Sequence, residues 1–215
     1  MIELSRRERE KLNRRNEILQ AARKVFAEKG YDVATVDDVA SAAELSKGTI
    51  YLYFKSKADL FLSTLEMGME QVISIILDAI SDNSDDPIAG IRDIIYRQFL
   101  FCEENIDMFR LVTSENVHME INSEIGRNSE FKKRIMKSFS QNMIALADYI
   151  QQGIDMGIFK KVNSKDAAFV LLSTIQGFAF NWIMDPEEVI LSKKAEIIST
   201  IFLDGLREEK NVEFA

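Results

Sequence analysis

Proline interrupts this chain only at Pro87 and Pro186, and nine glycines are spread thinly through the rest. Long segments without breakers need a regular backbone that satisfies its own N–H and C=O groups. The apolar residues select the helix. Ile18, Leu19, Ala22, Val25 and Phe26 recur three and four apart, as do Phe61, Leu65, Met69, Val72, Ile73, Ile76 and Ile80. That spacing lines one face of a helix. Runs alternating with period two are absent, and no fixed-length repeat appears. The expected fold is all-α, with about nine helices.

Capping residues place the boundaries. Gly30 stops the first helix. Thr35 precedes Val36-Asp37-Asp38, a hydroxyl cap with acids in the first turn, and Ser46 opens the next helix. Ser56-Lys57-Ala58-Asp59 begins a fourth, and Pro87 suits the first turn of a fifth that runs to about Asn105. A short helix is expected near Asp107–Ser114, and residues 115–127 carry no clear pattern. Helices follow at Asn128–Met156 (stopped by Gly157), Ser164–Met184 and, after Pro186, Glu187–Arg207.

Charge is divided unevenly. The whole chain is −8, yet residues 1–60 carry 12 basic and 10 acidic side chains while residues 61–215 carry 15 and 25. A basic tip on an acidic body can still hold phosphates, because exposed charges beyond about 8–10 Å are screened. One cysteine, Cys102, excludes an internal disulfide framework and suits a reducing compartment. The N-terminus is charged, and no apolar run approaches the roughly 20 residues of a membrane span. The expected location is the cytoplasm, with no membrane partner.

The second and third helices, Val36–Ala43 and Ser46–Phe54, are separated by Glu44 and Leu45 alone. Two short helices on so tight a turn form a helix-turn-helix, which offers its second helix to the major groove of DNA. Ile50 and Phe54 face the first helix, leaving Lys47 and Tyr51 on one ridge and Thr49 and Tyr53 on the next. These groups donate to phosphates or meet base edges, Gly48 permits close approach, and the helix end at Ser46 offers free N–H groups. Arg6, Arg7, Arg9, Lys11, Arg14 and Arg15 form either an arm that reaches DNA or a helix end paired with Glu3, Glu8 and Glu10.

Residues 10–62, above all TVDDVASAAELSKGTIYLYFKSKADLF, resemble the DNA-binding domain of TetR-family transcriptional regulators. The resemblance implies DNA contacts at Thr35, Ser46, Lys47, Gly48, Thr49, Tyr51, Tyr53 and Lys57. It implies a DNA-binding domain over residues 1–56 and an effector-binding and dimerisation domain over residues 57–215. Two positions depart from the family pattern. Glu44 replaces a common turn glycine, at a strain cost on the order of 1 kcal/mol if φ is positive there. Leu52 replaces a common aromatic, which removes a phosphate contact or turns the side chain inward.

The resemblance also implies a repressor that binds a near-palindromic double-stranded operator as a homodimer and is released by a small lipophilic effector. Ser164–Met184 is apolar nearly all round, and the last helix repeats the theme, so these two are the expected dimer seam. Phe99, Cys102, Met108, Phe109, Val112, Met119, Phe139, Met143, Gln176, Phe178 and Trp182 are the effector-site candidates. Gln176 and Asn181 interrupt the apolar helix and need hydrogen-bond partners, whereas His118 is read as a solvated side chain. Ser173–Leu191 is similar to fatty-acid-responsive members, which implies an acyl-type effector; the acidic body also suits a cationic drug-like one.

Two other classes compete. One histidine and one cysteine leave little for a zinc site or a nucleophile–histidine pair, and no Walker loop or dinucleotide fingerprint appears, so no cofactor is expected. An acid-based, non-metal enzyme and a helical protein-interaction module without DNA binding remain as alternatives.

Overall fold

A computed structural model describes residues 5–106, 109, 129–185 and 190–207. Met108, Val112, Met119, His118 and the expected helix near 107–114 lie outside the described residues, apart from Phe109; so does the Phe139 side chain. The described residues form eight α-helices and one 3-10 turn. These are α1 (Arg6–Val33), α2 (Val36–Ala42), α3 (Lys47–Tyr51), α4 (Lys57–Asp82), α5 (Pro87–Glu104), α6 (Ser129–Asp155), α7 (Ser164–Met184) and α8 (Ala195–Leu206). The fold is all-α.

Local chemistry sets the ends. Ser5 and Glu8 form a reciprocal capping box that starts α1, so the basic residues from Arg6 onward belong to a continuous helix. Arg6 pairs with Glu10 and Arg14 with Glu17 on its surface. Gly30 leaves helical geometry at φ 73°, and Gly157 does so at φ 70° beyond α6, both as glycine allows. Asp86 caps α5 through the N–H groups of Ile88 and Ala89, with Pro87 in the first turn. The last helix begins later than its sequence pattern predicts. Leu191 is buried and the Ser192 N–H donates to the Glu103 carboxylate at 2.8 Å, which holds Leu191–Lys194 as a tight 3-10 turn before α8 starts.

The described residues divide into two compact units, one of residues 5–69, 109 and 129–135, the other of 70–106, 136–185 and 190–207. The first is organised by α1, α2, α3 and the start of α4 around Leu19, Phe26, Val39, Ile50, Phe54 and Phe61. Phe26 and Phe61 meet edge to face with centroids 5.1 Å apart. Burial of such side chains stabilises by about 1.5–3 kcal/mol each, which is what holds the short α2 and α3 in place.

In the second unit α5 packs against α7, α8 and the 3-10 turn. Ile91, Ile94, Ile95 and Phe99 are fully buried there, as are Leu146 and Ile150 of α6. Gly90 is required by contact: a Cβ would fall 2.0 Å from the Tyr149 hydroxyl oxygen. That hydroxyl donates towards the carbonyls of Asn83 and Asp86, and burial pushes its pKa up to about 12. By length and composition α4 and α7 both reach what a membrane span needs, contrary to the sequence expectation. Each buries an apolar face in the fold: Ile76 and Ala79 on α4, Ala168, Leu171 and Ile175 on α7.

Candidate nucleic-acid interface

The α2–turn–α3 unit is built from two caps and a strained turn. Thr35 Oγ1 accepts from the Asp38 N–H at 3.1 Å, and the Asp38 carboxylate accepts from the Thr35 N–H at 2.9 Å. The carboxylate also takes the Lys29 ammonium at 2.6 Å. Lys29 first, and then Thr35, hold the Asp38 carboxyl down at about 2. Glu44 sits in the turn with φ 55°, so the position usually given to glycine does need left-handed backbone. Ser46 caps α3 by accepting from the Thr49 N–H at 3.1 Å, and the two hydroxyls lie 2.9 Å apart. One of the N–H groups expected to be free at this helix end is thereby used.

Ile50 and Phe54 are buried, and Tyr53 and Leu45 pack half-buried against the same core. The opposite side of α3 is open. Lys47, Gly48 and Ser46 are exposed, Tyr51 is 49% exposed and Leu52 80%. Leu52 therefore does not turn inward. Gly48 has ordinary helical backbone, and a Cβ there would meet only Ser46 Oγ, at 3.7 Å. Nothing among the described residues requires glycine at that position.

Two expected contacts are engaged in the chain itself. The Lys47 ammonium donates to Asp37 at 2.6 Å, and this pairing raises its pKa. Lys57 donates to the Asp32 carbonyl at 3.0 Å and lies 4.6 Å from the Tyr31 ring centroid, so it ties the start of α4 to the end of α1. Sequence reasoning missed both partners, since neither is a helical neighbour. Thr35 is exposed but committed to its capping box, and Thr49 is half-buried.

Residues 18–64 match the family "Bacterial regulatory proteins, tetR family". That match takes in α2, the turn and α3, so this head is similar to the DNA-binding domain of TetR-family regulators. The curated relatives and solved neighbours that the chain resembles carry the names of transcriptional regulators. The Bacillus subtilis fatty acid metabolism regulator protein is 24% identical over 90% of this chain and 95% of its own length. The fatty acid degradation regulator FadR from Bacillus halodurans superposes with TM-score 0.73 at 23% identity, covering 91% of this chain and 97% of that one. FadR from Bacillus subtilis in complex with stearoyl-CoA gives TM-score 0.68 at 23% identity, covering 88% and 97%.

The effector candidates scatter over different environments. Phe99 and Cys102 are buried, and burial pushes the Cys102 thiol up to about 12, leaving it a packing residue rather than a nucleophile. Phe109, Met143 and Trp182 are half-buried. Gln176, Asn181 and Phe178 are exposed on the outer side of α7. There they lie with Phe169, Val170, Phe180 and Met184, all more than half exposed, and α8 adds Ile197 and Ile201. A groove of about 600 Å³ between α7 and α8 is lined by Val170, Phe178, Ile198, Ile201 and Phe202.

Proposed function

We propose that the protein is a dimeric transcriptional repressor, acting in the cytoplasm, which binds a near-palindromic operator and is released by a small lipophilic effector. The carrying observation is the arrangement of α3: Ile50 and Phe54 buried beneath it, Lys47, Gly48, Tyr51 and Leu52 presented to solvent. Lys47, Gly48 and Tyr51 form the centre of the docking face, with Thr35, Ser46, Thr49, Tyr53 and Lys57 around it. In this reading residues 1–56 bind DNA and residues 57–215 bind effector and partner subunit.

A second copy of the chain covers the outer side of α7 and α8. Its exposed phenylalanines and isoleucines form a continuous apolar face of the kind that a homodimer buries, and two-fold pairing sets the recognition helices the roughly 34–36 Å apart that successive major grooves require. The effector is acyl-type or a cationic drug-like molecule, with the acyl class supported by the stearoyl-CoA complex of the Bacillus subtilis neighbour. Only a ligand with different affinity for the DNA-competent and incompetent states can release the operator.

The test is fluorescence anisotropy on duplexes selected in vitro, across a range of salt concentrations. Lys47→Ala weakens binding and reduces the logarithmic salt slope by about 0.9 for the lost phosphate contact. Tyr51→Ala weakens binding while sedimentation and helicity stay as in wild type. If both variants bind like wild type, the docking assignment is wrong.

A further inference from the structure

The second compact unit holds a polar cleft of about 560 Å³ where α5 packs against the 3-10 turn and α8. It shares no residue with the effector candidates or with the α7–α8 groove. Helix α5 supplies Arg92 and Tyr96, four residues apart and so on one ridge. The turn supplies Lys193, and α8 supplies Glu196 and Thr200, again four apart. Ile197 and Ile201 of the proposed dimer seam lie on the neighbouring ridge of α8, so the seam and the cleft use different side chains.

The charges of the cleft are not satisfied within the chain. Arg97, on the same helix as Arg92, is held by Asp82 and Asp93, and the Glu103 carboxylate is engaged by the Ser192 N–H. Among the described residues neither Arg92 nor Lys193 has an ion pair or a side-chain hydrogen bond, and Glu196 takes no cation although it lines the same cleft. Two cations against one acid reverses the balance of residues 61–215, which carry 15 basic and 25 acidic side chains.

Guanidinium and ammonium together favour a phosphate, the first through its fork of N–H groups and the second as a point charge. A bare anion would leave the rest of the cleft unused, since a space of this size is that of a small-molecule site. Glu196 opposes a second negative group and accepts from a hydroxyl. Tyr96 is 48% exposed and offers ring surface on which a planar group stacks. A ligand with a phosphate, hydroxyls and a planar ring meets all of these groups.

We infer that the cleft between α5 and α8 binds a nucleoside monophosphate, with Arg92 and Lys193 on the phosphate, Tyr96 against the base and Glu196 on the ribose hydroxyls. This second ligand site rests on neither the DNA-binding nor the effector reading.

The experiment titrates the full-length protein calorimetrically with AMP, GMP, CMP and UMP, the matching nucleosides, ribose 5-phosphate and inorganic phosphate. At least one nucleotide is expected to bind, and its nucleoside and inorganic phosphate to bind about ten-fold more weakly, the loss that one charged hydrogen bond represents. Arg92→Gln and Lys193→Gln are each expected to weaken the nucleotide by about the same factor. Tyr96→Leu is expected to weaken the nucleotide and leave ribose 5-phosphate unchanged, which a merely structural role would not do. Thr200→Glu, which adds an acid from α8, is expected to abolish binding, whereas Lys161→Gln, at an exposed lysine outside the cleft, changes nothing. Circular dichroism melts of all five variants are expected to match wild type, since every substituted side chain is exposed. No heat with any of the four nucleotides at millimolar concentration would overturn the inference. So would a nucleoside or inorganic phosphate that binds as tightly as the nucleotide, or an affinity that survives Arg92→Gln, Lys193→Gln or Tyr96→Leu.

Discussion

Lys47 is held by Asp37 before any DNA arrives, with both side chains at least half exposed and their charged atoms 2.6 Å apart. A phosphate must displace that carboxylate, and the carboxylate then stands close to the duplex as an unpaired negative charge. Asp37→Asn is therefore expected to tighten operator binding by about two- to five-fold, the range an exposed ion pair spans, in the anisotropy assay. Glu44 makes the opposite kind of case, since its φ of 55° is backbone strain rather than charge. Glu44→Gly removes the clash of Cβ with the carbonyl but adds freedom to the unfolded chain, so a net gain of about 0.5–1 kcal/mol is expected in urea unfolding. The sequence flagged Glu44 because a turn of two residues between helices commonly demands left-handed backbone. It could not flag Asp37 as the partner of Lys47, ten residues away and on another helix.

At the scale of elements, caps do more to fix the head than helix propensity does, because α2 and α3 have seven and five residues and are too short to persist alone. Asp38 serves the Thr35 cap and the Lys29 pair together, with its carboxyl lowered from 3.8 to about 2. A depressed carboxyl stabilises the fold above its unfolded pKa and loses that contribution as pH falls through the folded one. The head is thus expected to lose stability between about pH 4 and pH 2, and Asp38→Asn is expected to flatten that acid limb when unfolding is followed by circular dichroism. Helix starts marked by Ser, Thr, Asp or Pro were legible in the sequence because capping is local. The start of α8 was not, because the Ser192–Glu103 bond joins residues 89 positions apart.

For the whole molecule the proposed dimer decides function, since one recognition helix touches too few base pairs to select an operator. Ile201 is 68% exposed on α8 and lines the groove beside α7. Ile201→Glu would place a charge in the buried seam. The expected result is a monomer by sedimentation at micromolar concentration, with operator affinity lowered at least ten-fold and head helicity retained. Helical period, breakers and caps are properties of neighbouring residues, so the sequence alone determined the all-α class, the helix-turn-helix and the buried side of α3. Distances between remote residues are not. Only the tertiary structure decided that Lys47 is paired with Asp37, that Lys57 is tied to Asp32 and Tyr31, and that Leu52 points to solvent. It alone gathered Arg92, Tyr96, Lys193 and Glu196 around one cleft, because which remote side chains meet depends on every element packed between them.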